Sequence, residues 1–139
     1  MSASDTLERR VIGLAMKVHS VLGPGFLELV NQNALVMELR RAGLEVEVGR
    51  RITVLYEGEV VGEFAADLIV RDPVTAEELL IEIKAVSVLV RTHSVQLVNY
   101  LSATGIDCGL LLNFGAQSLE FKTKARLYRR PEPPPDLLT

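Results

Sequence analysis

Two carboxylates and a lysine stand in two short apolar segments of the chain. Asp67 lies within residues 65–70, and Glu82 precedes Lys84 by two positions within residues 79–84. β-Branched and aliphatic residues dominate both segments, so each is predicted to be a strand, and strand alternation places Glu82 and Lys84 on one face. If Asp67 lies on the neighbouring strand, two acids and a lysine converge at one end of a sheet. Such a set can hold Mg²⁺ and place a cation beside an attacking water, as phosphodiester cleavage requires.

An ordinary ion pair is the alternative for Glu82 and Lys84, since a Glu-x-Lys on a half-exposed strand commonly makes one. The flanking residues are almost all apolar, however, and an isolated charge there is costly unless it is paired or bound to a metal. Without a metal, Asp67 and Glu82 would repel each other, so at least one of them is expected to have a raised pKa.

A second group of polar residues follows on a predicted helix. Aliphatic residues at helical spacing predict a helix over residues 94–104, and Gly105 is its stop signal. Gln96 and Tyr100 would then lie one turn apart on the same side, with His93 one turn before Gln96. An amphipathic helix that merely carries an amide and a phenol on its polar face is the alternative.

Two helices are predicted near the N-terminus, over residues 6–22 and 26–42, separated by a Gly-Pro-Gly break. Glu28 falls in the first turn of the second helix. A glutamate there commonly interacts only with the helix dipole.

The remaining elements predict an α/β fold with a mixed sheet and helices packed on it. Residues 51–56 and 59–70 flank a Glu-Gly turn and are predicted to form a hairpin. The helix that carries Gln96 leads to a strand over residues 108–113, and this β-α-β step favours parallel pairing. We expect a single domain over residues 1–130, followed by an extended, disordered Pro-rich tail over residues 131–139.

The motifs, in their order along the chain, resemble those of the GxxExxY proteins. These proteins are a small bacterial and archaeal group of the PD-(D/E)xK nuclease superfamily. The resemblance covers roughly residues 7–128. It rests on residues 18–28, on Ala66 with Asp67, on residues 80–86 and on residues 93–101. One position departs from the pattern, because Asn31 stands where the family motif ends in tyrosine.

The resemblance implies a restriction-endonuclease-like core and a nuclease that uses Mg²⁺ or Mn²⁺ and acts on DNA. It assigns Asp67 and Glu82 as metal ligands, and Lys84 as the group that orients or deprotonates the attacking water. Glu28 would complete the metal shell from its helix.

Further residues are assigned by the same resemblance. Gln96 and Tyr100 match the Gln-x-x-x-Tyr motif of RecB-type members, which braces the lysine and contacts the nucleic-acid backbone. His19 and His93 match positions that are often histidine in the family, with a supporting or phosphate-contact role; a plain polar surface position is the alternative.

The charge balance argues against a nucleic-acid partner. The chain has 139 residues and a net charge of −3, with a pI near 5.4, whereas nucleic-acid-binding domains usually have a basic field. The cations are clustered, however, because residues 121–130 hold five of them and no acid: Lys122, Lys124, Arg126, Arg129 and Arg130. They are candidates for phosphate contacts, although a charged run near a terminus is often merely solvated.

Two further hypotheses about the function therefore stay open. A non-catalytic module with the same core, used for self-assembly or protein binding, is favoured by the acidic balance, by Asn31 and by the mean hydropathy of +0.25. Cleavage of RNA or of nucleotide fragments is the other.

The expected setting is the cytoplasm. No stretch near 20 apolar residues is present to span a membrane, no signal peptide is evident, and the single cysteine excludes an internal disulfide. A chain this short and apolar is expected to cover hydrophobic surface on its first two helices with a second copy, by default as a homodimer.

Overall fold

The chain runs through two helices, three strands and a third helix, and the described part ends with two further strands. In the computed structural model, which describes residues 6–126, the helices are α1 (Leu7–Leu22), α2 (Glu28–Arg41) and α3 (Arg91–Thr104). The strands are β1 (Glu45–Tyr56), β2 (Glu59–Arg71), β3 (Glu78–Lys84), β4 (Cys108–Asn113) and β5 (Glu120–Ala125). The predicted tail at 131–139, and Arg129 and Arg130, lie outside the described residues.

The strands form one sheet in the order β1-β2-β3-β4-β5. β3 and β4 are parallel and joined through α3, as the β-α-β pattern predicted. The other neighbouring pairs are antiparallel. The prediction of an α/β fold with a mixed sheet flanked by helices is confirmed.

Alternation along β3 divides its side chains between two cores. Ile81 and Ile83 pack in the core that contains residues of α1 and α2. Leu80 packs on the opposite face, with Leu97 and Leu101 of α3. Because side chains two residues apart share a face, Glu82 and Lys84 lie on the α3 side of the sheet.

The hairpin prediction is confirmed at its turn, but β1 begins at Glu45 rather than at residue 51. Glu57 and Gly58 both have positive φ, of 50° and 81°, as a two-residue turn that matches strand twist requires. Residues 45–48 alternate between charged and apolar residues, which is a strand signal, but the prediction missed it because Gly49 interrupts the alternation. β2 nevertheless pairs with this segment.

Two helix starts also differ from the prediction. α2 begins at Glu28 because Leu27, in an extended conformation, is its N-cap. α3 begins at Arg91, three residues early, where the Val90 N–H donates to His93 Nδ1 at 3.2 Å. Gly105 ends α3 in the left-handed conformation, as predicted. Within the described part of the chain, no helix is both long and apolar enough to cross a membrane.

The backbone after β4 approaches the segment after β3 very closely. The Phe114 N–H donates to the Lys84 carbonyl at 2.9 Å. A Cβ on Gly115 would lie 2.5 Å from Val86 N and 2.6 Å from Val86 O. Only glycine allows this contact, which fixes the chain immediately after Lys84.

Gly115→Ala is therefore expected to lower the free energy of unfolding by about 1–3 kcal/mol, because two backbone segments would have to separate. Gly13→Ala is the matched control, since Gly13 lies within α1 and an added Cβ meets nothing within 4 Å. It should raise stability by about 0.5–1 kcal/mol. Urea unfolding of both variants measures the difference, and equal effects would contradict the close approach.

Candidate functional site

Asp67 and Glu82 meet where β2 and β3 part. The paired register of these strands ends at Leu68 and Ile81, and the two carboxylates then replace the backbone partners. The Ile83 N–H donates to Asp67 Oδ2 at 2.8 Å, and the Asp67 N–H donates to Glu82 Oε1 at 3.3 Å. The strand end thus holds both acids on the α3 face of the sheet.

The buried position of Glu82 shifts the pKa of its carboxyl group. Glu82 is only 7% exposed. Burial raises the pKa of Glu82 to about 8; the charge of Asp67 acts in the same direction, and that of Lys84 opposes it. The expected raised pKa is therefore found at Glu82. A group that holds a proton at neutral pH beside a second carboxylate can exchange that proton for a cation.

Lys84 is half-buried at the end of β3. Among the ion pairs of residues 6–126, none joins Lys84 to Glu82 or Asp67. The simple ion pair considered as an alternative is therefore not formed.

A buried amide positions the chain that follows Lys84. Asn113 Oδ1 accepts from the Val86 N–H at 2.9 Å and from the Gly115 N–H at 3.0 Å. Asn113 Nδ2 donates to Glu120 Oε1 at 3.0 Å, and the same oxygen accepts from the Leu89 N–H at 2.8 Å. The hydrogen bond from Asn113 lowers the pKa of Glu120 most, and the one from the Leu89 N–H lowers it further. These hydrogen bonds link four parts of the chain: the segment after β3, the end of β4, the start of β5 and the segment before α3.

Neither Asn113 nor Glu120 was predicted from the sequence as part of the site. The available signal was an asparagine at the end of an otherwise apolar run, since a buried amide needs hydrogen-bond partners. Its partner, Glu120, was not predictable from local sequence.

Tyr100 lies beside the acids. Burial raises its pKa, and the charges of Glu82 and Asp67 raise it further. Its ring stacks on Phe64, with centroids 3.8 Å apart and planes at 13°. Gln96 is exposed on the same helix. No hydrogen bond within the described range joins Gln96 or Tyr100 to Lys84.

Glu28 is exposed in the first turn of α2. Across residues 6–126, no three His, Cys, Asp or Glu side chains form a group that could hold a metal ion. The structure therefore brings Asp67 and Glu82 together but does not add Glu28 to them.

The two histidines have structural contacts. His19 is buried, and its Nε2 lies 2.9 Å from the Ala116 carbonyl oxygen, to which it donates. His93 Nδ1 accepts from the Val90 N–H. His19 thus contacts the turn that also carries Gly115, and His93 lies at the start of α3.

Asn31, where the family motif has tyrosine, is fully buried. Its Nδ2 donates to the Leu27 carbonyl at 3.3 Å, and its Oδ1 has no partner among the described residues. This position therefore belongs to the interior of the protein.

The predicted basic cluster is divided. Lys122 and Lys124 are paired with Leu111 and Gly109 of β4, which places them on the α3 face. Arg126 instead bonds to Asp107, with Nη2 at 2.9 Å from Oδ1.

Comparisons with known proteins agree with this architecture. A model of the PD-(D/E)XK nuclease superfamily matches residues 5–126. A crystal structure of SSO0001 superposes with a TM-score of 0.56 at 20% sequence identity, covering 88% of this chain. The chain spans 61% of that protein's length, so the likeness concerns the fold. No curated protein matches. The prediction of a restriction-endonuclease-like core is confirmed.

The raised pKa of Glu82 predicts a pH-dependent stability. Its value of about 8 exceeds the ordinary 4.5, so the folded protein binds the proton more tightly than the unfolded chain. The resulting stabilisation is complete below pH 4.5 and is lost as the pH rises through about 8. Glu82→Gln should remove this dependence, because the amide oxygen keeps the bond to Asp67 N and the side chain cannot ionise.

Urea unfolding in EDTA between about pH 5 and about pH 9 measures the slope. Glu59→Gln, which changes an exposed glutamate of β2, is the matched control and should behave like the wild type. Parallel curves for the wild type and Glu82→Gln would contradict the buried, protonated state of Glu82.

Proposed function

The chain belongs to the PD-(D/E)XK nuclease superfamily, and on that premise we propose that it is a divalent-metal-dependent nuclease that hydrolyses phosphodiester bonds in DNA. The observation that supports this most is the meeting of Asp67 and Glu82 at the parting of β2 and β3, with Lys84 on the same face. RNA is the alternative substrate.

The donor set fits a hard divalent cation. PD-(D/E)XK nucleases typically use divalent metal ions, and carboxylate oxygens are the ligands that Mg²⁺ and Mn²⁺ prefer. Asp67 and Glu82 would hold the ion, and the proton on Glu82 would leave when it binds. Glu28, the third ligand that the family resemblance implies, lies apart from the two acids in the first turn of α2 and would have to move to them to join the metal shell.

The proposed mechanism gives each remaining residue one task. A bound ion would supply positive charge and would lower the pKa of a water bound to it. Lys84 orients or deprotonates the attacking water and offsets charge on the phosphate in the transition state. Gln96 and Tyr100 are proposed to brace Lys84 and to contact the backbone. The Asn113 and Glu120 network holds the main chain next to Lys84, so the ammonium starts from a fixed position.

Nucleic-acid contacts are proposed for the cations on the α3 face. Lys122 is exposed there, and Lys124 lies in a shallow depression that Arg91 also lines. Arg91 was not identified from the sequence. His93 at the start of α3 is proposed to join them, whereas Arg126 is expected to contribute less because Asp107 already pairs with it.

We also propose that the chain is a member of the GxxExxY group. The motif is kept at Gly25 and Glu28, and the departure at Asn31 falls in the interior. We therefore expect this replacement to affect packing of α2 rather than the metal ligands.

Lys84→Ala should lower cleavage by about 100-fold or more while leaving the melting temperature nearly unchanged, because preorganised charge acts mainly in the transition state. A buried structural pair would behave differently, since its truncation costs about 3–5 kcal/mol of stability. Cleavage of single- and double-stranded DNA with Mn²⁺ and thermal melting are measured on both proteins.

Lys17→Ala is the matched control. Lys17 lies on α1 and pairs with Glu38 at 3.0 Å, so its loss removes one positive charge and should leave cleavage intact. If the wild type cuts nothing with Mn²⁺, or with Mg²⁺ in a repeat of the assay, and Lys84→Ala only melts earlier, the protein is the non-catalytic module.

Self-association is proposed through the junction of α1 and α2. Apolar side chains are exposed there on Val21, Phe26, Leu27 and Leu29, with exposures of 75%, 47%, 80% and 63%. These four residues lie close together in the sequence, between positions 21 and 29, and a large exposed apolar patch commonly marks an interaction site. We propose that a second copy of the chain covers it in a homodimer.

Leu27→Ser should convert the dimer to a monomer. The change removes a large exposed side chain and supplies an N-cap hydroxyl to α2, which has no side-chain cap, so the helix itself should not be weakened. Light scattering measures the mass, with Val74→Ser, at a 91% exposed turn residue, as control. A wild-type mass near 15.3 kDa across micromolar concentrations would rule out the dimer.

A further inference from the structure

A cleft separates the outer part of the β1–β2 hairpin from α3. The hairpin contributes Val54, Leu55 and Phe64, and the helix contributes Asn99, Tyr100 and Ala103. Its volume is about 550 Å³, within the range of small-molecule sites. Because Tyr100 lines the cleft and also feels the charges of Glu82 and Asp67, the cleft opens next to the proposed active site.

The lining is suited to a flat, neutral ring. Aliphatic and aromatic side chains form most of it, and the polar groups present are neutral, with no charged side chain among the described residues that line it. A phosphate would find no cation here. A nucleobase would find both an apolar surface and an amide, on Asn99, for its polar edge.

The stacked rings of Phe64 and Tyr100 provide the platform. They lie nearly parallel at a centroid distance of 3.8 Å, one ring from the hairpin and one from the helix. Neither ring is fully buried. At 3.8 Å the facing sides of the two rings contact each other, so a base would stack on an outer face of the pair. Such stacking is open to every base, because each base has a π face.

If the chain binds a nucleic acid, as the proposed function requires, its charge favours one with unpaired bases. With a net charge of −3, attraction of phosphates contributes less to affinity than in a basic protein. Base stacking must then supply more of it, and stacking on a side chain is open only to bases that are unpaired. Duplex DNA does not expose them.

We propose that this cleft receives one unpaired base of a single-stranded nucleic acid, adjacent to the phosphodiester bond at Asp67, Glu82 and Lys84. The position of the bond rests on the proposed function, whereas occupancy of the cleft can be measured without cleavage. A second copy of the chain is the rival occupant, and the experiment includes it as an outcome.

Binding is measured with the Lys84→Ala protein in Ca²⁺, using a short single-stranded oligodeoxynucleotide that carries one 2-aminopurine, and the corresponding duplex. The chain contains no tryptophan, so the fluorescence of the probe is easily isolated. We expect the single strand to bind more tightly and the fluorescence of 2-aminopurine to be quenched by stacking.

Two variants test the cleft itself. Ala103→Met fills it from an exposed position on α3, and Phe64→Leu removes one ring of the platform. Each should weaken single-strand binding by about 5- to 150-fold, the range for loss of one base–aromatic stack. Ala42→Met, at an exposed alanine after α2 on the other face, is the matched control and should bind like its parent.

Three outcomes would overturn the proposal. Equal binding of single strand and duplex would do so, as would unchanged binding by both variants. A change of oligomeric mass in Ala103→Met without loss of binding would assign the cleft to a second copy. The nuclease proposal is judged separately: a wild type that binds as expected but cuts nothing refutes cleavage and leaves the cleft intact.

Discussion

The rest of the site depends on two hydrogen bonds between the backbone of one strand and a carboxylate of the other. Where β2 and β3 part, the N–H groups of Asp67 and Ile83 lose their ladder partners, and the side chains of Glu82 and Asp67 accept from them. A buried N–H without a partner is costly. The acids therefore complete the hydrogen bonding of the sheet and, through the same contacts, are held close together. Burial of Glu82, with the charge of Asp67 beside it, raises the pKa of Glu82 so that it retains a proton.

The main chain next to Lys84, the third residue of the site, is fixed by backbone contacts. Lys84 is the last residue of β3. Two positions further on, Gly115 packs against Val86, and Asn113 accepts a hydrogen bond from the Val86 N–H. Glu120 extends the network to Leu89, just before α3 begins. A flexible lysine side chain is thus attached to a main chain with little freedom. Preorganisation of this kind lowers the cost of placing its charge.

The sequence was most informative where a local pattern decided the structure. Strand alternation placed Glu82 and Lys84 on one face, helical spacing placed Tyr100 on α3, and Gly105 marked the end of that helix. The start of β1 was missed because Gly49 interrupts the alternation of charged and apolar residues over 45–48. The contacts between Asn113 and Glu120, and between Phe64 and Tyr100, depend on how separate elements pack. Such pairs leave no periodic signal, and only the buried asparagine hinted at one.

The acidic composition is less opposed to the proposed chemistry than the net charge of −3 suggests. That formal count treats Glu82 as ionised, whereas burial and Asp67 keep it protonated at neutral pH. Before a cation binds, the pair of acids therefore presents one negative charge beside the positive charge of Lys84. Binding of a divalent ion would expel the proton, so affinity for the ion should increase with pH until Glu82 is ionised without it. The same buried carboxylate that weakens the fold at high pH would then give the ion its second charged ligand.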